Sequence, residues 1–168
     1  MSRQISIRPV RGQEDIADIE ALFRDYAAEL DVDLAYQDFA AELSSLPGKY
    51  APPGGLLLLA RDGQGRAVGC IGLRPMADEG RCEMKRLYVA PAGRGTGLGR
   101  RLAEALIEQA RRLGYREMCL DTLPSMAAAQ DLYRSMGFVP IAAYYPTLIA
   151  GTLFLGLDLH SGAPAGSA

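Results

Sequence analysis

Four glycines stand at alternate positions, Gly93, Gly95, Gly97 and Gly99, with Arg94, Arg100 and Arg101 set among them and just after them. A short apolar run, Leu87-Tyr88-Val89, leads into them through Pro91. An amphipathic run follows without delay, with Leu98, Leu102, Ala105, Leu106, Ala110 and Leu113 at the spacing of one helix face. A strand, a glycine-rich turn and a helix N-terminus in succession make an anion site. The first helical N–H groups have no intrahelical partner, and the helix dipole favours negative charge there. Glycine lets the backbone approach a ligand with no Cβ in the way. The chemistry predicted for this turn is the holding of a phosphate or pyrophosphate.

Two motifs of that kind fit poorly or in part. The P-loop needs a lysine after its glycines, and none follows here. A dinucleotide fingerprint starting at Gly95 needs a glycine where Arg100 stands, although Asp121, at the end of the next strand, lies near the offset of a ribose-binding acid. That rival stays open on the turn alone.

The run Arg94-Gly95-Thr96-Gly97-Leu98-Gly99 fits R-x-x-G-x-G, preceded by Leu87-x-Val89-x-Pro91. A second block reads Ala129-x-x-Leu132-Tyr133-x-x-x-Gly137-Phe138. Together these resemble the GCN5-related N-acetyltransferase (GNAT) family over about residues 79–140. The resemblance implies acetyl-CoA as cosubstrate, with no metal. It implies that backbone groups at Leu87, Tyr88 and Val89 pair with the pantetheine arm, between strands ending at Val89 and Thr122. It also implies that Arg94, Gly95, Thr96, Gly97, Leu98, Gly99 and Arg100 wrap the pyrophosphate.

Acyl transfer from a thioester to an amine needs a neutral amine, donors for the developing oxyanion and a proton for the departing thiolate. An alkyl amine has a pKa near ~10.4, so a base or a desolvating pocket must help at neutral pH. By resemblance Tyr133 is the general acid; as a residue beside Leu132 on a helix face, it reads equally as core. Glu83, eleven residues before Arg94, matches the base of histone-acetylating relatives; its plain alternative is a strand-face acid paired with Lys85 or an arginine. The family often carries an asparagine three residues before the alanine of the second block. Here Met126 stands there, so an amide contact to the cofactor is missing or passes to Ser125.

The flanking chain supplies elements to position these residues. Alternation predicts a strand over residues 4–9, and helical spacing predicts a helix from Glu14 to Leu30 with Glu14 and Asp15 in its first turn. A shorter helix is predicted over 36–46, then a Pro/Gly loop over 47–55 in which Lys49 and Tyr50 either lid the acceptor cleft or lie at the surface. Strands follow over 55–60, 67–73 and 81–89. The last of these sets Cys82, Met84, Arg86 and Tyr88 on one face and Glu83, Lys85, Leu87 and Val89 on the other, unless a bulge swaps part of it. After the long helix, with Gly114 as its C-cap, come a strand over 117–122, a helix over 124–136 and strands over 138–143 and 152–159. The order β-α-α-β-β-β-α-β-α-β-β predicts an α/β fold with a mixed sheet. It also weighs against the dinucleotide rival, because hairpins, not strand–helix units, precede the glycine turn.

The chain reads as one domain over residues 1–160 with a disordered tail over 161–168. Hydrophobic content of 49% and charged content of 23% are ordinary for a soluble protein, and a net charge of −2 invites no nucleic acid. No leader or ~20-residue apolar span is evident, so a cytoplasmic protein is expected, with no membrane partner. Cys70, Cys82 and Cys119 read as buried free thiols. His160 reads as surface, Tyr144 and Tyr145 as acceptor-side lining or packing, and Glu29, Asp31, Asp33, Asp38 and Glu42 as solvated acids or the wall of a cationic-acceptor pocket. The reaction implied is acetyl transfer to a primary amine of a small molecule or protein; a non-catalytic acyl-CoA sensor is the alternative. Exposed final strands suggest a homodimer.

Overall fold

A computed structural model describes residues 4–30 and 32–160. Asp31 and the tail expected to be disordered lie outside the described residues. The elements are β1 (Ser6–Pro9), α1 (Gly12–Glu29), α2 (Phe39–Ser44), β2 (Leu56–Arg61), β3 (Ala67–Pro75), β4 (Arg81–Val89), α3 (Leu98–Arg112), β5 (Glu117–Thr122), α4 (Ala127–Ser135), β6 (Val139–Pro140) and β7 (Leu153–Asp158). This is the element order read from the sequence, and the fold is mixed α/β.

The chain divides into two compact units, Met1–Pro75 with Met84–Leu106, and Met76–Glu83 with Ile107–Ala168. In the first, the strand order is β1-β2-β3-β4. Antiparallel pairing sets Ile7 opposite Ala60 and Leu58 opposite Ile71. The inner stripe of α1, Ile19, Leu22 and Phe23, is buried with Leu43, Tyr50, Leu57, Leu59, Cys70 and Tyr88. Each such large apolar side chain contributes about 1.5–3 kcal/mol on burial. The N-terminus of α1 is closed by Asp15, whose carboxylate accepts from the Arg11 N–H at 2.7 Å and from Arg61 Nη2 at 2.6 Å. The start of α3 packs tightly on β3: a Cβ on Gly69 would lie 3.0 Å from Leu98 and 3.1 Å from Leu102.

In the second unit the strand order is β4-β5-β7-β6. The parallel ladder of β4 with β5 has three pairs, ending at Glu83 opposite Cys119, whereas β7 pairs antiparallel with β5 along all of Glu117–Thr122. The three cysteines are free and buried. Burial pushes the Cys119 thiol up to about 11 and Cys82 to about 12.

Four expectations need correction. The helix predicted over 36–46 is a 3-10 turn, Leu34–Gln37, followed by the short α2. Asp33 caps that turn by accepting from the Ala35 N–H at 2.9 Å, and Asp38 at φ +59° breaks the helix between them. Tyr50 is neither lid nor surface: it is 2% exposed, edge-on to Phe23, with its hydroxyl on Glu42 at 3.1 Å. The strand predicted over 138–143 shrinks to Val139–Pro140, because Pro140 has no N–H to donate and the chain leaves the sheet after Ile141 bonds Phe154 O. Leu113 is exposed, since α3 ends at Arg112 and Gly114, at φ +89°, turns the chain as the expected C-cap.

Candidate active site

The glycine turn belongs to the first unit. A 3-10 turn, Pro91–Gly93, carries the chain from β4 to the start of α3. Gly95 and Gly97 have φ of +77° and +76°, a region costly for any residue with a Cβ, and space is open around both. Thr96 Oγ1 donates to Gly93 O at 2.6 Å and ties the turn to itself. Leu98 is buried, so only its backbone can face a ligand. Arg100 is exposed beside Glu104 at 3.7 Å. An exposed backbone bend at a helix N-terminus suits a diphosphate.

Arg94 takes a different place. Its Nη2 donates to Glu29 at 2.7 Å and its Nε to Val89 O at 3.0 Å, with the guanidinium 6.0 Å from the Tyr88 ring centroid. Tyr88 is buried, and its hydroxyl also donates to Glu29. Burial first, then the Glu29 charge, pushes the Tyr88 hydroxyl up to about 12, while the bonds from Tyr88 and Arg94 hold the Glu29 carboxyl below its usual range. Leu87 and Val89 are half-buried.

Strand β4 carries two further charged centres. Within the first unit, Arg86 has φ of +60°, the local irregularity that alternation cannot foresee. Its guanidinium is enclosed between Tyr26 and Phe39, at 5.8 and 5.2 Å from the ring centroids. It donates to both oxygens of Glu42, at 3.0 and 3.1 Å, and to Gln37 Oε1 at 2.9 Å, which also accepts from Lys85 at 3.2 Å. Burial alone would raise the Glu42 carboxyl, but Arg86 outweighs it and holds the group low. Of the acids read as solvated or as an acceptor wall, Glu42 and Glu29 are therefore engaged within the chain. The sequence reading missed this pair; the one signal was a charged residue between Met84 and Tyr88 on an apolar parity.

In the second unit, Glu83 is 4% exposed, and its Oε2 accepts from the Tyr144 hydroxyl at 2.6 Å. Tyr144 comes from the segment between β6 and β7, where Tyr144, Tyr145 and Phe154 meet edge to face at 5.1–5.7 Å. Burial, then Glu83 and Asp121, push the Tyr144 hydroxyl far above its ordinary value, so it stays a donor. Tyr145 donates to Asp121, the residue that the dinucleotide reading had reserved for a ribose. Tyr133 is buried on α4 against Phe138 at 5.7 Å. Thr122, at the end of β5, has a buried Oγ1 with no hydrogen-bond partner among the described residues, an orphan that fits a polar group arriving from outside the chain. Met126 stands at the N-cap of α4 without a side-chain cap, and Ser125 precedes it. His160 is exposed.

The family model of the acetyltransferase (GNAT) family matches residues 16–138. An uncharacterised N-acetyltransferase of Schizosaccharomyces pombe is 40% identical over 155 residues, covering 92% of this chain and 95% of its own. A GNAT-family acetyltransferase of Staphylococcus aureus superposes with a TM-score of 0.78 at 21% identity, over 93% of this chain and 99% of its own. A Salmonella typhimurium protein solved with its cofactor acetyl-CoA has a TM-score of 0.67 at 24% identity, over 98% and 99%. At those identities the structural likeness speaks for the fold. No helix among the described residues is long and apolar enough to cross a membrane.

Proposed function

The chain belongs to the acetyltransferase (GNAT) family and is an acetyl-CoA-dependent N-acetyltransferase, and on that premise we propose that it acetylates a primary amine by direct attack on the thioester. Residues 1–160 act as one catalytic domain. Acetyl-CoA supplies the activated acyl group. The N–H groups of Gly95 to Arg100 hold its pyrophosphate; the open, positive-φ backbone at Gly95 and Gly97 supports this. Arg94 acts by fixing the turn to Glu29 rather than by reaching for phosphate. The orphan Thr122 hydroxyl bonds a polar group of a substrate.

Glu83 takes the proton from the incoming ammonium through a water. The amine nitrogen then forms its bond to the acyl carbon, the carbon–sulfur bond breaks, and Tyr133 gives its proton to the departing thiolate. As the amide forms, its nitrogen sheds a second proton, which returns by water to Tyr133; the proton on Glu83 passes to solvent, and the amide and free CoA leave.

The observation that carries this reading is a buried carboxylate, Glu83, that accepts from the Tyr144 hydroxyl, in a chain that carries the family's glycine turn. The test is thiol release by wild type and Tyr133→Phe, with acetyl-CoA affinity measured in parallel. The variant is expected to turn over more slowly by about 10²-fold, with affinity nearly intact. An unchanged rate removes Tyr133 from the mechanism; acetyl-CoA binding with no turnover on any amine favours the sensor.

A further inference from the structure

The last turn of α1 breaks a local rule. A helix C-terminus carries partial negative charge, so a cation is favoured there and a carboxylate is not. Here the turn holds Glu29 and no basic residue, and the Leu30 N–H closes the helix onto Ala27 O at 3.2 Å. Glu29 finds its partners far along the chain. Its Oε1 accepts from Arg94 Nη2 at 2.7 Å, 65 residues on, and its Oε2 accepts from the Tyr88 hydroxyl. Tyr88 is buried, with its ring edge-on to Tyr26 at 6.3 Å. Arg94 also donates from Nε to Val89 O at 3.0 Å. Thr96 thus ties the glycine turn to itself, whereas Arg94 ties it outward, to the end of β4 and the end of α1.

We infer that Glu29 is a positioning residue for acetyl-CoA: through Arg94 it holds the glycine turn in the diphosphate-binding conformation before the cosubstrate arrives. The inference rests on the turn being the pyrophosphate site. The backbone at Gly95 and Gly97, at positive φ and with open space around it, has many conformations to lose on meeting a ligand. A turn already held in the competent one loses less, and the apparent dissociation constant falls accordingly. Stability is a poor explanation for the contact. The Glu29 and Arg94 side chains are 46% and 49% exposed, and exposed ion pairs contribute little to folding. Charge alone is a poor one too. A carboxylate near the site of a dianion repels it, and it engages a guanidinium that would otherwise be at hand for phosphate. Glu29 thus opposes binding by its charge and favours it by fixing the turn, so the two effects have opposite signs when it is removed.

Those signs decide the test. CoA binding is measured by calorimetric titration in the wild type, Glu29→Gln, Arg94→Leu and the double variant, with urea unfolding alongside. Glu29→Gln removes one negative charge and keeps the shape of the side chain. It is expected to weaken CoA binding about tenfold, as for a turn left competent about a tenth of the time. Arg94→Leu is expected to weaken it at least as much, and the double variant no further than Arg94→Leu alone, because both residues act through one contact. Tighter binding by Glu29→Gln overturns the inference: Arg94 is then a phosphate ligand that Glu29 restrains. Losses that multiply to about a hundredfold or more in the double variant overturn it too. Gly97→Ala separates the premise from the inference. Full CoA affinity there removes the pyrophosphate site itself. Weakened binding there, beside wild-type affinity in Glu29→Gln, overturns the inference alone, and a lowered urea midpoint in Glu29→Gln then marks the pair as merely structural.

Discussion

Two carboxylates on or against β4, the part-buried Glu42 and the buried Glu83, are met in opposite ways. Glu42 meets a guanidinium at both oxygens, with Arg86 enclosed by two aromatic rings. Glu83 meets a tyrosine hydroxyl that keeps its proton. A bidentate guanidinium neutralises a carboxylate and removes its use as a base; a hydroxyl stabilises its charge and leaves proton uptake open. Glu42 thus reads as part of the framework, and Glu83 is the carboxylate we propose for the chemistry, although the sequence presents both simply as glutamates.

That contrast breaks most readily at Arg86. Arg86→Leu leaves Glu42 buried with only the Tyr50 hydroxyl, and unfolding in urea should show a loss of about 3–5 kcal/mol. A loss below ~1 kcal/mol would mean the pair is not framework. Glu83→Gln should do the reverse: a fall in kcat of about 10²-fold or more with the urea midpoint nearly unchanged. If the midpoint drops and the rate does not, the two glutamates have exchanged roles.

Acid sharpens the comparison. The folded-state Glu42 carboxyl lies below its ordinary 4.5, so its contribution is full above that value and is lost as pH falls through the lowered one. Asp15 and Glu29 are lowered too and add to the same window. The stability gap between wild type and Glu42→Gln should therefore be wide near neutrality and narrow below about pH 4. A gap independent of pH would mean the cost of Glu42→Gln is packing and not charge. The smallest effect belongs to the exposed turn. Gly97→Ala meets no atom within 4 Å, so its cost is backbone alone, about 1–2 kcal/mol. Calorimetric titration with CoA should show weakened binding; full affinity would remove the turn from the pyrophosphate site.

What could be read in advance divides along the same line. The glycine turn, α3 and the strand before it are local in sequence, and local spacing reports them: glycines at positive φ, a helix-period stripe, a C-cap glycine. The element order follows for the same reason. Tyr133 and Glu83 were put forward by motif, from their types and offsets. Tyr144 was seen but could not be assigned, since a tyrosine in a loop reads the same whether it packs or donates. Arg86 was placed on a strand face, and its φ of +60° gave no sign in residue types, because arginine seldom adopts that region.

By itself, then, the sequence determined the fold class and the glycine turn, and put forward a pair of residues for proton transfer. These depend on short-range periodicity and on backbone needs that residue types betray. The tertiary structure alone decided that Glu42 meets a guanidinium and that Glu83 meets a tyrosine hydroxyl. Arg86 finds Glu42 from 44 residues away and Tyr144 finds Glu83 from 61. Whether a buried charge meets a guanidinium or a hydroxyl is settled only when the strands are paired and the loops have closed over them.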